Sequence, residues 1–371
     1  MKNNGQVRLN NLSKQTKVSL PQGRYIEKQV VIDKQGKELT VLVIDNGLMK
    51  ITVLTGRGME IGDIFLAGEK MSWDRSSAYL IHSDHVNLQD RNGTGWLDGF
   101  YSAAATIGPE LFGTPGEGYT LHGTSSYSPA NPESVLIRYD EEGVRIEGTV
   151  VCRGYADDPV FEKETSIFTR WNSSVLLRDE ITLNVTDTIQ TLDDGYHIQL
   201  SGSFLHAGGR YVLPADTHSL LLRDNAPSEE DPLRIPAWNE GHQPIRCYQY
   251  VPEAVSGLDQ IEEISKYLSL LRDHNGITAE MIVNNANSAA GYVIRSLDCF
   301  PRSLIAKEIS ESFMFSFEPC RTRPNRMSQK HIDGEAFFLQ PHSTAVTQCI
   351  IGFTKNKRSI EALEKSISES K

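Results

Sequence analysis

Apolar residues in this chain recur mostly in short bursts with a period of two. Val41-Leu42-Val43-Ile44 is followed by Asp45-Asn46-Gly47 and then by Ile51-Thr52-Val53-Leu54. An Asn-Gly pair between two apolar runs predicts a hairpin, because both residues tolerate the positive φ of a tight turn. Residues 144–151 (Val-Arg-Ile-Glu-Gly-Thr-Val-Val) largely alternate apolar with polar, as a half-buried strand does. Residues 174–185, 267–271, 278–283, 313–317, 336–339 and 346–353 also read as strands, with turn chemistry at Asp193-Asp194-Gly195, Asn275-Gly276 and Asp333-Gly334. Helical spacing is clear only near the end, where Ile360, Leu363 and Ile367 recur among Glu and Lys. The expectation is an all-β chain, a large sandwich of short strands closed by a short C-terminal helix. Residues 1–25 lack periodicity and are expected as a loosely packed N-terminal arm, leaving 26–371 as one β-sandwich domain. The most polar stretch, Asn225 to Pro236, reads as a surface loop within that domain.

Charge narrows the partners. Across 371 residues, 37 Lys and Arg stand against 48 Asp and Glu, a net charge of −11. That balance argues against nucleic acid, which needs a clustered basic face, and against an anionic membrane surface. No stretch of about 18 apolar residues occurs, and the first 20 residues contain no apolar core of a secretory signal, so a cytoplasmic protein is expected. The five cysteines (Cys152, Cys247, Cys299, Cys320 and Cys349) are scattered and form no CxxC pair, which fits reduced thiols better than a zinc site or a disulfide framework.

Three segments concentrate acid–base chemistry. Leu121-His122-Gly123 follows a glycine-rich loop; Tyr196-His197-Ile198-Gln199 follows Asp193-Asp194-Gly195; and Glu318 ends the aromatic run Phe313 to Phe317. Taken singly, each is most simply a hydrogen-bonded structural histidine or a salt-bridged glutamate. Their order is informative. A His-Gly, then a Tyr-His in a strand, then a late Glu, together with Arg57-Gly58-Met59-Glu60-Ile61-Gly62-Asp63, resembles the aldose 1-epimerase (galactose mutarotase-like) superfamily over roughly residues 40–355, in an uncharacterised bacterial branch.

The resemblance implies a galactose mutarotase-like β-supersandwich with a sugar pocket on one sheet face, whose chemistry interconverts anomers. By position, His197 is expected as the general acid on the ring oxygen and Glu318 as the general base on the C1 hydroxyl. His122 is expected to bind the same end of the sugar, with neither cofactor nor metal required. Ring opening of a hemiacetal needs one group giving and one taking a proton at the same acetal carbon, which a His–Glu pair can supply. Arg57 and Arg321 are candidate ligands of sugar hydroxyls or of an acidic substituent, with a buried ion pair to Glu60 or Asp63 as the alternative for Arg57, and Trp73 and Trp96 are candidate stacking surfaces or core residues. The sequence departs from the better-known mutarotases after His122 and around His197 and places Arg57 and the run Arg321, Arg323 and Arg326 near expected pocket segments, which directs attention to an anionic or otherwise unusual sugar. The alternatives on the same scaffold are a non-catalytic carbohydrate-binding protein and a polysaccharide lyase or glycoside-processing enzyme. A rival metal-ligand set, His82, Asp84 and His85 with Asp90, is weakened because strand alternation sends His85 to the opposite face.

Overall fold

In a computed structural model, which describes residues 4–75, 80–154, 156–223 and 230–370, the alternating segments become strands of two large antiparallel sheets, one of ten strands and one of twelve. The hairpin forms as its turn requires. Glu38–Asp45 and Met49–Leu54 pair with Val43 opposite Thr52. Gly47 turns the chain at φ +99°. Asn46 is buried and donates to Thr169 Oγ1 at 2.9 Å and to the carbonyl oxygens of Arg170 and Ser173, so the turn also fastens one sheet to the other. The runs around 144–151, 174–185, 278–283, 313–317 and 346–353 become Gly143–Arg153, Val175–Asn184, Ile277–Asn284, Phe313–Cys320 and Thr344–Thr354. The C-terminal helix spans Lys357–Ser368, capped by Asn356 Oδ1 and burying Ile360, Leu363 and Ile367.

The sheets pack face to face over one large apolar core that runs from Leu9 to Phe353. Phe313, Phe315 and Phe317 all point into it, which a period of two demands of one strand. Each such ring stabilises the fold by roughly 1.5–3 kcal/mol. The intersheet space also holds charge. On the ten-stranded sheet, Glu180 is flanked by Arg178 Nη2 at 3.0 Å and Lys163 Nζ at 3.3 Å. Arg178 donates to the carbonyl oxygens of Gly58 and Met59, in the turn entering a strand of the other sheet. Lys163 Nζ donates to Thr106 Oγ1 at 2.9 Å, and Tyr196 Oη donates to Glu180. Charges buried this deeply persist only when each is paired.

Three expectations are corrected. The N-terminal stretch is not a loose arm: Gly5–Arg8 pairs with Leu136–Tyr139 in one sheet, Lys17–Ser19 pairs with Tyr25–Ile32 in the other, and Leu9, Leu12 and Leu20 are buried in the core. Residues 267–271 are not a strand. Glu262–Leu268 is a helix, because Ile264, Tyr267 and Leu271 recur at helical spacing and pack as one buried face. Of the polar stretch 225–236, residues 225–229 lie outside the described residues, while Arg234–Ile235 joins the ten-stranded sheet beside Gly209–Val212. Among the described residues no helix is long and apolar enough to cross a membrane.

Candidate active site

Strand Gly195–Gln199 lies between Ala104–Ile107 and Phe313–Cys320 in the twelve-stranded sheet. Tyr196 and Ile198 point into the intersheet core. Alternation therefore turns His197 and Gln199 to the opposite face. Register pairs Ile198 with Phe317 and Gln199 with Ser316, which sets His197 beside Glu318. His197 Nε2 lies 3.3 Å from Glu318 Oε1, and both side chains are buried. The Gln199 amide, oriented with its oxygen toward His197 Nδ1, donates from its nitrogen to the carbonyl oxygens of Ser102, Ala103 and His197 at 2.8, 3.0 and 2.9 Å. That orientation fixes a proton on Nδ1 and leaves Nε2 to exchange one with the carboxylate. Burial lowers the His197 pKa below its ordinary 6.5, and the Glu318 charge opposes that shift.

Both groups open onto a cavity of about 620 Å³, within the roughly 300–1,000 Å³ typical of small-molecule sites. His122 enters it from a turn with φ +60°. The following Gly123 has φ +66°, and a Cβ there would lie 2.6 Å from Glu110 Oε2 and from the Gly108 carbonyl oxygen, so the turn can pack this closely only with glycine. His122 stands edge-on to Trp96, with ring centroids 4.8 Å apart. Burial holds its pKa well below the usual histidine range, so the ring is neutral. His122 Nδ1 and Trp96 Nε1 are buried without a hydrogen-bond partner among the described residues. Buried polar atoms of this kind are normally satisfied, and a bound ligand can do so. Trp73, Phe100, Met314 and Ala306 complete the apolar wall.

Of the residues singled out in the sequence, the fold gathers His197, Glu318, His122, Trp73 and Trp96 around this cavity. Trp73 spends its Nε1 on the Tyr101 carbonyl oxygen at 2.8 Å and offers only ring surface. Arg57 is elsewhere. Its guanidinium is buried and donates to the carbonyl oxygens of Ser126, Ile81 and Gly99 at 2.9, 3.0 and 2.9 Å, with Glu60 3.8 Å away. Arg321 is also held away from the cavity, its Nε bonded to Asp194 at 2.7 Å. Neighbouring Asp193 pairs with Lys330 and accepts from Thr322 Oγ1 at 2.6 Å, so the Asp-Asp-Gly segment braces the loop that carries Arg321. Neither Arg57 nor Arg321 reaches the cavity, and neither meets an acidic substituent there. The arginines that do line the cavity are Arg75 and Arg223, in segments with no motif to mark them. Gln199 belongs to the quoted Tyr-His segment but carried no assigned role, although its place two positions after His197 on one strand puts both on the same face. The rival metal set is engaged with other partners: His82 Nδ1 accepts from the Asp84 backbone N–H, His85 Nδ1 bonds Asp33 at 2.7 Å, Asp84 pairs with Lys37, and Asp90 accepts from Asn87. Among the described residues, no group of three His, Cys, Asp or Glu side chains is placed to hold a metal ion.

Comparison with solved structures places this geometry among known folds. A Klebsiella pneumoniae protein provisionally named an aldose 1-epimerase superposes with a TM-score of 0.77 at 20% identity, covering 99% of this chain and 91% of that one. A galactose mutarotase-like protein from Clostridium acetobutylicum superposes at 0.59 with 13% identity, covering 89% and 99%. A Salmonella typhimurium protein provisionally named a mutarotase gives 0.59 at 10% identity, covering 92% and 97%. No protein of curated function matches the sequence. The model of a domain of unknown function, DUF4432, matches residues 36–352. The chain belongs to the DUF4432 family and has a galactose mutarotase-like fold.

Proposed function

We propose that the cavity binds a sugar with a free anomeric hydroxyl and interconverts its anomers by acid–base ring opening. The observation that carries this reading is the His197–Glu318 pair, 3.3 Å apart at the floor of a cavity large enough for a sugar. Glu318 as carboxylate takes the proton of the C1 hydroxyl while His197, protonated on Nε2, gives its proton to the ring oxygen. The C1–O5 bond breaks, its electron pair stays on O5, and C1 becomes an aldehyde carbon. Rotation about C1–C2 presents the other carbonyl face. O5 then attacks, its proton returns to His197, and Glu318 returns its proton to the carbonyl oxygen. The cycle restores both residues and consumes nothing, so the pair suffices as acid and base. His122 Nδ1 and Trp96 Nε1 are free to bond sugar hydroxyls, and Trp73 and Phe100 to pack on the C–H face of the ring.

Anomer-exchange NMR across free aldoses tests the reading. Turnover of at least one aldose is expected, and His197→Ala or Glu318→Gln is expected to lower it by about 10²–10⁴-fold, the usual contribution of a positioned acid or base. Parent-like exchange in both variants would remove the pair from the mechanism.

A further inference from the structure

A second cavity of about 400 Å³ opens beside the first on the same sheet face. The two share Leu304 and Pro324. Strand Arg302–Ile309 runs beneath both: Glu308 and Ala306 line the first cavity, Leu304 lines both, and Arg302 lines the second. At about 3.3 Å per residue, the row from Glu308 to Arg302 spans roughly 20 Å, longer than one sugar ring needs. The ridge between the cavities is fixed in place. Thr114 Oγ1 donates to the Pro324 carbonyl oxygen at 2.8 Å and accepts from Arg223 Nη2 at 2.8 Å.

The lining of the second cavity selects the chemistry of its occupant. Arg302 and Arg323 are both committed to Glu335, at 2.7 and 3.5 Å. The exposed carboxylates of Asp216 and Glu253 also face the cavity. An anionic group would meet those two charges and no uncommitted guanidinium among the described residues. A neutral group rich in hydroxyls would find carboxylate acceptors, and Leu221, Val251, Leu304 and Pro324 would cover its C–H face. We infer that the second cavity holds the next unit of a neutral oligosaccharide whose reducing-end ring occupies the first. This rests on the proposed function, and it extends the substrate from a free monosaccharide to a reducing oligosaccharide.

The test compares glucose with the reducing disaccharides maltose, lactose and cellobiose, by anomer-exchange NMR for turnover and by saturation-transfer difference NMR for binding. Val251 lines only the second cavity and is 56% exposed, so Val251→Trp fills that cavity without burdening the core. Ser219→Trp, from another exposed position on the same cavity, is the second variant. At least one disaccharide is expected to show a KM tenfold or more below that of glucose. Both variants are expected to remove that advantage and leave glucose unchanged. Equal KM values in the parent, or variants that affect glucose and disaccharide alike, would overturn the inference. Absence of anomer exchange with every sugar would sink the proposed function instead. In that event saturation transfer still decides the second cavity: contacts from both rings, with the outer ring lost in Val251→Trp, uphold it, whereas contacts from one ring or none reject it.

Discussion

With the Gln199 amide oxygen against Nδ1, the His197 ring keeps a proton on that side and turns Nε2 toward Glu318. An attractive contact at that distance requires one proton between the two groups, the same proton that ring opening moves. Two influences set the pKa of His197: burial, the larger, lowers it, and the Glu318 carboxylate raises it. The imidazolium is present only below that lowered pKa, so its action as an acid declines as pH rises through a value under 6.5. Glu318→Gln removes the raising influence and leaves the burial. The His197 ring is therefore expected to titrate at a lower pH in the variant than in the parent, measured by ¹⁵N-detected NMR of the histidine side chains. An equal or higher value would mean that the carboxylate does not act on the ring.

At the scale of elements, strand alternation does most of the positioning, and it was also the most legible signal. Val144 to Val151 and Phe313 to Phe317 announce strands because a half-buried sheet needs a period of two. The meeting of His197 and Glu318 is not written that way. It depends on the register of Gly195–Gln199 against Phe313–Cys320, a pairing of distant segments that hydrophobic pattern does not specify. The helix at Glu262–Leu268 was obscured because Tyr267-Leu268 and Leu270-Leu271 form an apolar run as compact as a strand's. Gly5–Arg8 and Lys17–Ser19 are too short for periodicity to show. For Arg57 the buried pairing with Glu60 was legible and the rest was not, because its hydrogen-bond partners are backbone carbonyls, which leave no trace in sequence. It ties the turn after Met49–Leu54 to three loops and sits beside the buried Glu60. Arg57→Ala strips donors from those carbonyls and the counter-charge from Glu60, so a loss of about 3–5 kcal/mol in urea unfolding is expected. The KM of the folded protein should hardly move. Parent-like stability with a raised KM would return Arg57 to the sugar site.

Across the whole molecule, the two sheets are joined by directional bonds as well as by apolar contact. Glu180 is the hub, held by Arg178, Lys163 and Tyr196. Glu180→Leu would leave two buried cations without their anion, and urea unfolding is expected to show a loss of about 3–5 kcal/mol. A loss no larger than that of a buried leucine trimmed to valine would mean that the cations find other partners. The same hub bears on how such a protein can change over evolutionary time. A slide of one sheet over the other would break the bonds from Tyr196 to Glu180, from Arg178 to the Gly58 and Met59 carbonyl oxygens and from Lys163 to Thr106, so inherited variation in sheet geometry is filtered out before it can alter the binding surface. Novelty is channelled to the rim, where Asp74 and Arg75, Leu97, Arg223 and Ser310 to Ser312 stand on connecting segments. Lineages of this scaffold should therefore diversify in the sugars they accept by rewriting those few positions, while the intersheet charges stay fixed as a shared inheritance.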